Sequence, residues 1–214
     1  AAAGRAVVEG QADCFIISTN SGLAFNLASS PRGFYPVPMS RPEQNPEGWK
    51  RFKKAAPYYE FNIATVGAQP VSKEQPHVGS TYPLPIIVAY TGQDPELVYY
   101  QTRLIYERFP DYKDAYPGNA ALALTAQRFT WVMPYHEAAV KYLKEKGVWT
   151  EAADRHNREL VRRQEVLAKA WDRTLGEVQE KKIAPKDFAD FWMQIRAEEL
   201  QKAGLDPYWE KRFW

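Results

Sequence analysis

The stretch Phe129–Trp149, FTWVMPYHEAAVKYLKEKGVW, constrains the fold of this chain most. Arg128–Met133 reads as a short apolar strand, and Pro134-Tyr135-His136 as a corner. Tyr135–Lys146 repeats apolar residues at helical spacing, and Gly147 supplies the stop. Strand, polar turn, helix is the unit of a parallel α/β sheet. A second such unit stands near the start. Gly4–Glu9 reads as the end of a helix stopped by Gly10, Ala12–Ser18 as a buried strand, and Leu23–Ala28 as a helix after the turn Thr19–Gly22. Cys14, the only cysteine, lies in that apolar run and reads as a buried structural thiol rather than a nucleophile.

Between these units the pattern is mixed. Ser29–Gly48 is rich in proline, serine and glycine, with Gly33–Val37 as a short strand. Trp49–Ala55, WKRFKKA, is a basic helix whose charge run reads as a solvated face. Pro57–Val71 is extended, and Ser72–Gly79 is a polar loop in which His77 reads as a surface residue. Within Thr81–Tyr90, the run Leu84–Tyr90 has strong strand character. Asp94 caps a helix predicted over Pro95–Phe109, and Asp111–Leu124 reads as short helical turns. Beyond Trp149 no strand signal remains. Leu160, Gln164, Leu167, Trp171, Leu175 and Val178 trace one stripe predicted to be buried. Lys186–Ala203 is a second helix, with Phe188, Phe191, Trp192, Ile195 and Leu200 facing inward, and Asp206–Trp214 is an aromatic tail.

Composition narrows the function. The 28 basic and 26 acidic residues nearly cancel, which gives no broad field for nucleic acid. No run reaches the apolar length of a membrane span. No signal peptide is visible, and the opening AAAG gives no argument for the cytoplasm. The chain holds no Gly-x-Ser-x-Gly, His-Glu-x-x-His, phosphate loop or Gly-x-Gly-x-x-Gly. The histidines at 77, 136 and 156 are far apart in sequence. The expectation is a protein that is not an enzyme and needs neither metal nor cofactor.

One segment has the character of a ligand site on physical grounds. Ser18 to Ser21 would end a strand and open a helix, where free backbone N–H groups favour a carboxylate or phosphate. Plain helix capping by Asn20 or Ser21 is the competing reading.

Four words in order carry a family resemblance. They are Ala6-Val7-Val8-Glu9-Gly10-Gln11-Ala12-Asp13 before a strand, the crossing His77–Ala89, the helix Asp94–Tyr106, and Met133-Pro134-Tyr135-His136. Together they resemble the TAXI family of solute receptors, the extracytoplasmic components of TRAP-type secondary transporters. The resemblance implies an α/β fold, part of a type II periplasmic-binding-protein-like fold with an α-helical C-terminal extension. Residues 1–83 would be a portion of the second lobe with a crossover, 84–148 a return to the first lobe, and 149–214 the helical extension. It implies a small organic solute bearing a carboxylate, held by Ser18, Thr19 and Asn20. The family's Gly-Thr-Tyr-Pro-Gly-like loop is Gly67-Ala68-Gln69-Pro70 here, without the tyrosine, and Tyr82 or Tyr58 would stand in for it. The implied partners are the membrane permease subunits of a TRAP transporter, in the periplasm, with no nucleic acid. The signal peptide and an N-terminal part of the fold are expected to be absent from this chain, and a homodimer is among the arrangements that would complete it. The alternative is a protein-interaction module that docks through the aromatic helical tail and uses the α/β part as a scaffold.

Overall fold

A computed structural model describes residues Ala2–Tyr208. The chain divides into two compact units. The first holds residues 2–48, 59–88 and 100–127; the second holds 49–58, 89–99 and 128–208.

The first unit is built around an antiparallel hairpin of β1 (Glu60–Ala64) and β2 (His77–Thr81). The register pairs Glu60 with Thr81, Asn62 with Gly79 and Ala64 with His77. Side chains alternate across a strand, so those six residues share one face, and Phe61 and Ile63 lie with Ser80 and Val78 on the other. The incoming segment touches the hairpin where the Met39 amide donates to the Val78 carbonyl, 2.9 Å. Beside it, α1 (Ala2–Val8) meets α2 (Gly22–Ala28). Gly4 permits the approach, because a Cβ there would sit 2.6 Å from Leu23 Cδ2. Ser21 caps α2 through its hydroxyl, which accepts from the Ala24 amide at 3.2 Å. Ala24 and Leu27 are buried on the inner face of α2.

Four segments expected to be strands are not. Ala12–Ser18 is extended, but no ladder pairs with it among the described residues. Cys14 is exposed there instead of buried, and Ile16 is 92 % exposed. Leu84–Tyr90 also lacks a ladder: the chain bends at Leu84 and Pro85 and forms no regular element after them. Pro83 and Pro85 remove two amide donors at its start, and Tyr90 is 87 % exposed. Arg128–Met133 forms turns, for a local reason: the Trp131 carbonyl is taken by His156 Nε2 at 2.7 Å, while its indole N–H donates to the Tyr58 carbonyl at 2.8 Å. The bond from His156 occupies a carbonyl that a ladder would need. Gly33–Val37 likewise lacks strand pairing.

In the second unit the helices follow their caps. The opening of α4 (Pro95–Glu107) is held by Asp94, whose carboxylate accepts from the Glu96 amide at 2.9 Å. His136 opens α6 (Glu137–Glu145), with Nδ1 accepting from the Ala138 amide at 3.2 Å. Gly147, at φ +70°, ends the turn after it. Tyr142 and Leu143 of α6 are buried, and the Tyr99 hydroxyl donates to Glu145 at 2.5 Å. Thr150 caps α7 (Glu151–Glu180) and α8 (Phe188–Lys202) packs back along it. Trp149 packs on Phe129 and Tyr135, and its indole N–H donates to Asp154 at 3.1 Å. Bonds from Lys144 and Trp149 hold the Asp154 carboxyl below its usual range.

The buried face of α7 differs from the predicted stripe. Leu160, Arg163, Ala170 and Thr174 are buried, whereas Leu175 is exposed and Trp171 is 40 % exposed. Small side chains explain the rotation. Ala170 and Thr174 are 0 % exposed, and the Thr174 hydroxyl is satisfied by the Ala170 carbonyl at 2.7 Å. Trp171 lies at the flank instead, edge-on to Trp192 (5.1 Å) and Phe188 (5.7 Å). Ile195 and Leu200 of α8 face inward. Arg173 ties the pair with bonds to Glu177 (2.5 Å) and Glu199 (2.6 Å). Tyr208 begins the aromatic tail, with its ring 4.2 Å from the Arg163 guanidinium; the remainder, Trp209–Trp214, lies outside the described residues.

Candidate functional site

The first unit contains a groove of about 280 Å³ between the loop Ile17–Asn20 and the β1–β2 hairpin. One wall is Ile17, Ser18, Thr19 and Asn20. The other is the hairpin face that carries Asn62 and Ala64 on β1 and His77, Gly79 and Thr81 on β2. Thr65 and Val66, where the chain leaves β1, contribute to the rim. The volume lies just under the roughly 300–1,000 Å³ typical of pockets for drug-sized ligands. It suits a metabolite of modest size.

Backbone bonds hold the loop wall in place. Ser18 carbonyl accepts from the Ser21 amide (3.1 Å), Thr19 carbonyl from the Ala68 amide (2.7 Å), and Asn20 carbonyl from the Tyr116 hydroxyl (2.8 Å). Three successive carbonyls are thus committed to the protein, and the side chains of the same residues line the groove. Gly67 makes the second bond feasible. A Cβ at Gly67 would fall 3.0 Å from the Thr19 carbonyl oxygen and 3.1 Å from Thr19 Cβ. Ala68 and Val71 are buried beneath that contact.

The side chains are polar and uncharged. The Ser18 hydroxyl donates to Asn20 Oδ1 at 2.5 Å. That bond leaves lone pairs on Ser18 Oγ and both N–H groups of the Asn20 amide for a ligand. Across the groove the His77 ring lies against Gly79, where an added Cβ would meet Nε2 at 2.9 Å. Burial pushes the His77 pKa below its usual value, which favours the neutral ring with one donor and one acceptor nitrogen. Among the described residues Asp, Glu, Lys and Arg are absent from the lining.

The structure therefore places Ser18, Thr19 and Asn20 together in one groove wall, and it leaves Tyr82 out of the lining. Tyr82 follows Thr81 at the end of β2, with its ring edge-on to Tyr59 at 5.4 Å. Tyr58 belongs to the second unit, where its carbonyl serves Trp131. Helix capping at this corner is carried out by Ser21. The sequence reading missed Asn62, His77 and Thr81. Their shared face depends on the hairpin register, and the one local signal was the alternation of Asn62 between Phe61 and Ile63. Among the described residues no group of three His, Cys, Asp or Glu side chains is arranged to hold a metal ion, and no helix is long and apolar enough to cross a membrane.

Residues 43–147 match the NMT1-like family, a periplasmic solute-binding family related to the receptors of TRAP and ABC transporters. The matched segment contains the hairpin wall of the groove; Ile17–Asn20 precede it. No curated protein and no solved structure matches the chain. The family match points to solute binding in general, by proteins that typically carry out no chemistry on what they bind.

Proposed function

We propose that this protein is an extracytoplasmic solute receptor and that the groove between Ile17–Asn20 and the β1–β2 hairpin is its ligand site. The observation that carries the reading is the convergence of two walls. One was singled out from local sequence, Ser18-Thr19-Asn20, and the other lies inside the segment that matches a solute-binding family. The loop is braced by bonds to its carbonyls from the Ser21 and Ala68 amides and the Tyr116 hydroxyl, so its polar side chains are held ready for a ligand. Preorganisation of this kind lowers the ordering cost of binding.

On this reading the chain works in the periplasm, delivers a small organic solute to the permease of a TRAP-type transporter, and belongs architecturally with type II periplasmic binding proteins. Native mass spectrometry of protein purified without denaturation tests the reading. A retained small molecule is expected, and adding it back to stripped protein should raise the melting temperature, since it binds the folded state. A stripped protein whose melting temperature responds to no small polar solute would contradict the reading.

A further inference from the structure

The groove offers hydrogen-bonding groups in donor–acceptor pairs. Ser18 Oγ has given its proton to Asn20 Oδ1, so the pair presents an acceptor, Ser18 Oγ, beside a donor, Asn20 Nδ2. Asn62 and Thr81 face the same space from the hairpin; Asn62 can both donate and accept, whereas the Thr81 hydroxyl donates to the Tyr82 carbonyl at 3.4 Å and offers its lone pairs. Among the described residues no cationic side chain stands in the lining to compensate an anion.

A carboxylate only accepts. In this groove it would satisfy the donors but face Ser18 Oγ with no proton to share. A primary carboxamide has the opposite fit. Its oxygen accepts from Asn20 Nδ2 while its N–H donates to Ser18 Oγ. Sites built on matched donors and acceptors reject a ligand that leaves one of them unpaired.

We infer that the groove selects an uncharged solute bearing a carboxamide, in place of the carboxylate solute that the sequence resemblance implied. This rests on the groove being the solute site. The pairing also identifies Ser18 and Asn20 as the residues that discriminate charge, whereas Ile17 and Val66 supply apolar contact alone.

Matched pairs that differ only in charge provide the test. Calorimetric titration of the full chain at neutral pH with succinamide and succinate, and with malonamide and malonate, is expected to show each diamide binding at least tenfold tighter than its dicarboxylate. Asn20→Asp makes the loop acceptor-only and should weaken succinamide at least tenfold. Ser18→Ala removes the acceptor at an exposed position where folding is not at stake, and should do the same. Equal or tighter binding of the dicarboxylates overturns the inference and leaves the solute-binding reading intact. Diamide binding that Ser18→Ala does not change also overturns it. Binding of neither member of either pair, by a chain that retains no solute in native mass spectrometry, overturns both.

Discussion

The β1–β2 hairpin with its loop and the α7–α8 pair are built on different principles. Around the hairpin, two strands of five residues are surrounded by irregular segments, and apolar residues such as Ile16 and Ile87 face solvent. The groove side chains are polar, and several of their backbone groups are held by single bonds from distant residues. The α7–α8 pair spans 30 and 15 residues, buries Leu160, Ala170, Ile195 and Leu200, and is laced by Arg173 to acidic residues on both helices. Local stability follows buried apolar contact and cooperative helix packing. Binding surfaces are drawn from less regular segments, where the chain can present side chains without burying them. The contrast separates a region organised for stability from the one proposed for recognition.

Substitutions in each region should therefore have separable effects. The largest is expected at Leu200, which is 0 % exposed. Leu200→Ala should cost about 3 kcal/mol in urea unfolding, through lost burial and the cavity left behind. Solute affinity of the folded fraction should stay unchanged. A loss of affinity in the folded protein would break the separation.

Gly67→Val is expected to give the converse result. Its side chain would collide with the Thr19 carbonyl and displace the loop wall. Solute affinity should fall at least tenfold, while the urea midpoint of the helical pair, followed by helical circular dichroism, moves little.

Trp171→Ala sharpens the first comparison. Because Trp171 is only partly covered, its cost should be about 1–2 kcal/mol, set by its edge contacts with Phe188 and Trp192, and not the larger loss of a fully buried ring.

The smallest effect is a pH dependence at His77. Burial lowers its folded pKa below the unfolded value near 6.5. The neutral ring is favoured in the fold, so its contribution to stability is present above the unfolded pKa and is lost as pH falls through the folded one. His77→Gln should flatten that part of the stability profile. An unchanged profile in the variant would place the titration elsewhere.

What could be read from the sequence followed the range of the forces involved. Helices α4 and α6 and the pair α7 and α8 were legible because caps and stops are local: Asp94 before Pro95, His136 at the corner, Gly147 and Gly204 beyond helix ends. Ala12–Ser18 and Leu84–Tyr90 were misread as strands for the same locality. Their composition favours extended backbone, but a strand exists only when another segment pairs with it. The α7 stripe was misplaced by about one residue because burial fell on small side chains, Ala170 and Thr174, instead of the largest ones. The loop wall Ser18–Asn20 could be named from neighbouring residues. The wall with His77 could not, since it needs a register between segments more than ten residues apart.

The most direct measurement is a titration of isotope-labelled protein with succinamide, read by backbone amide chemical shifts. The account predicts perturbations at Ser18, Thr19, Asn20, Asn62 and His77–Thr81, with α7 and α8 unmoved. Perturbations centred on α7 and α8, or saturable binding that leaves Ser18–Asn20 and His77–Thr81 unshifted, would contradict it.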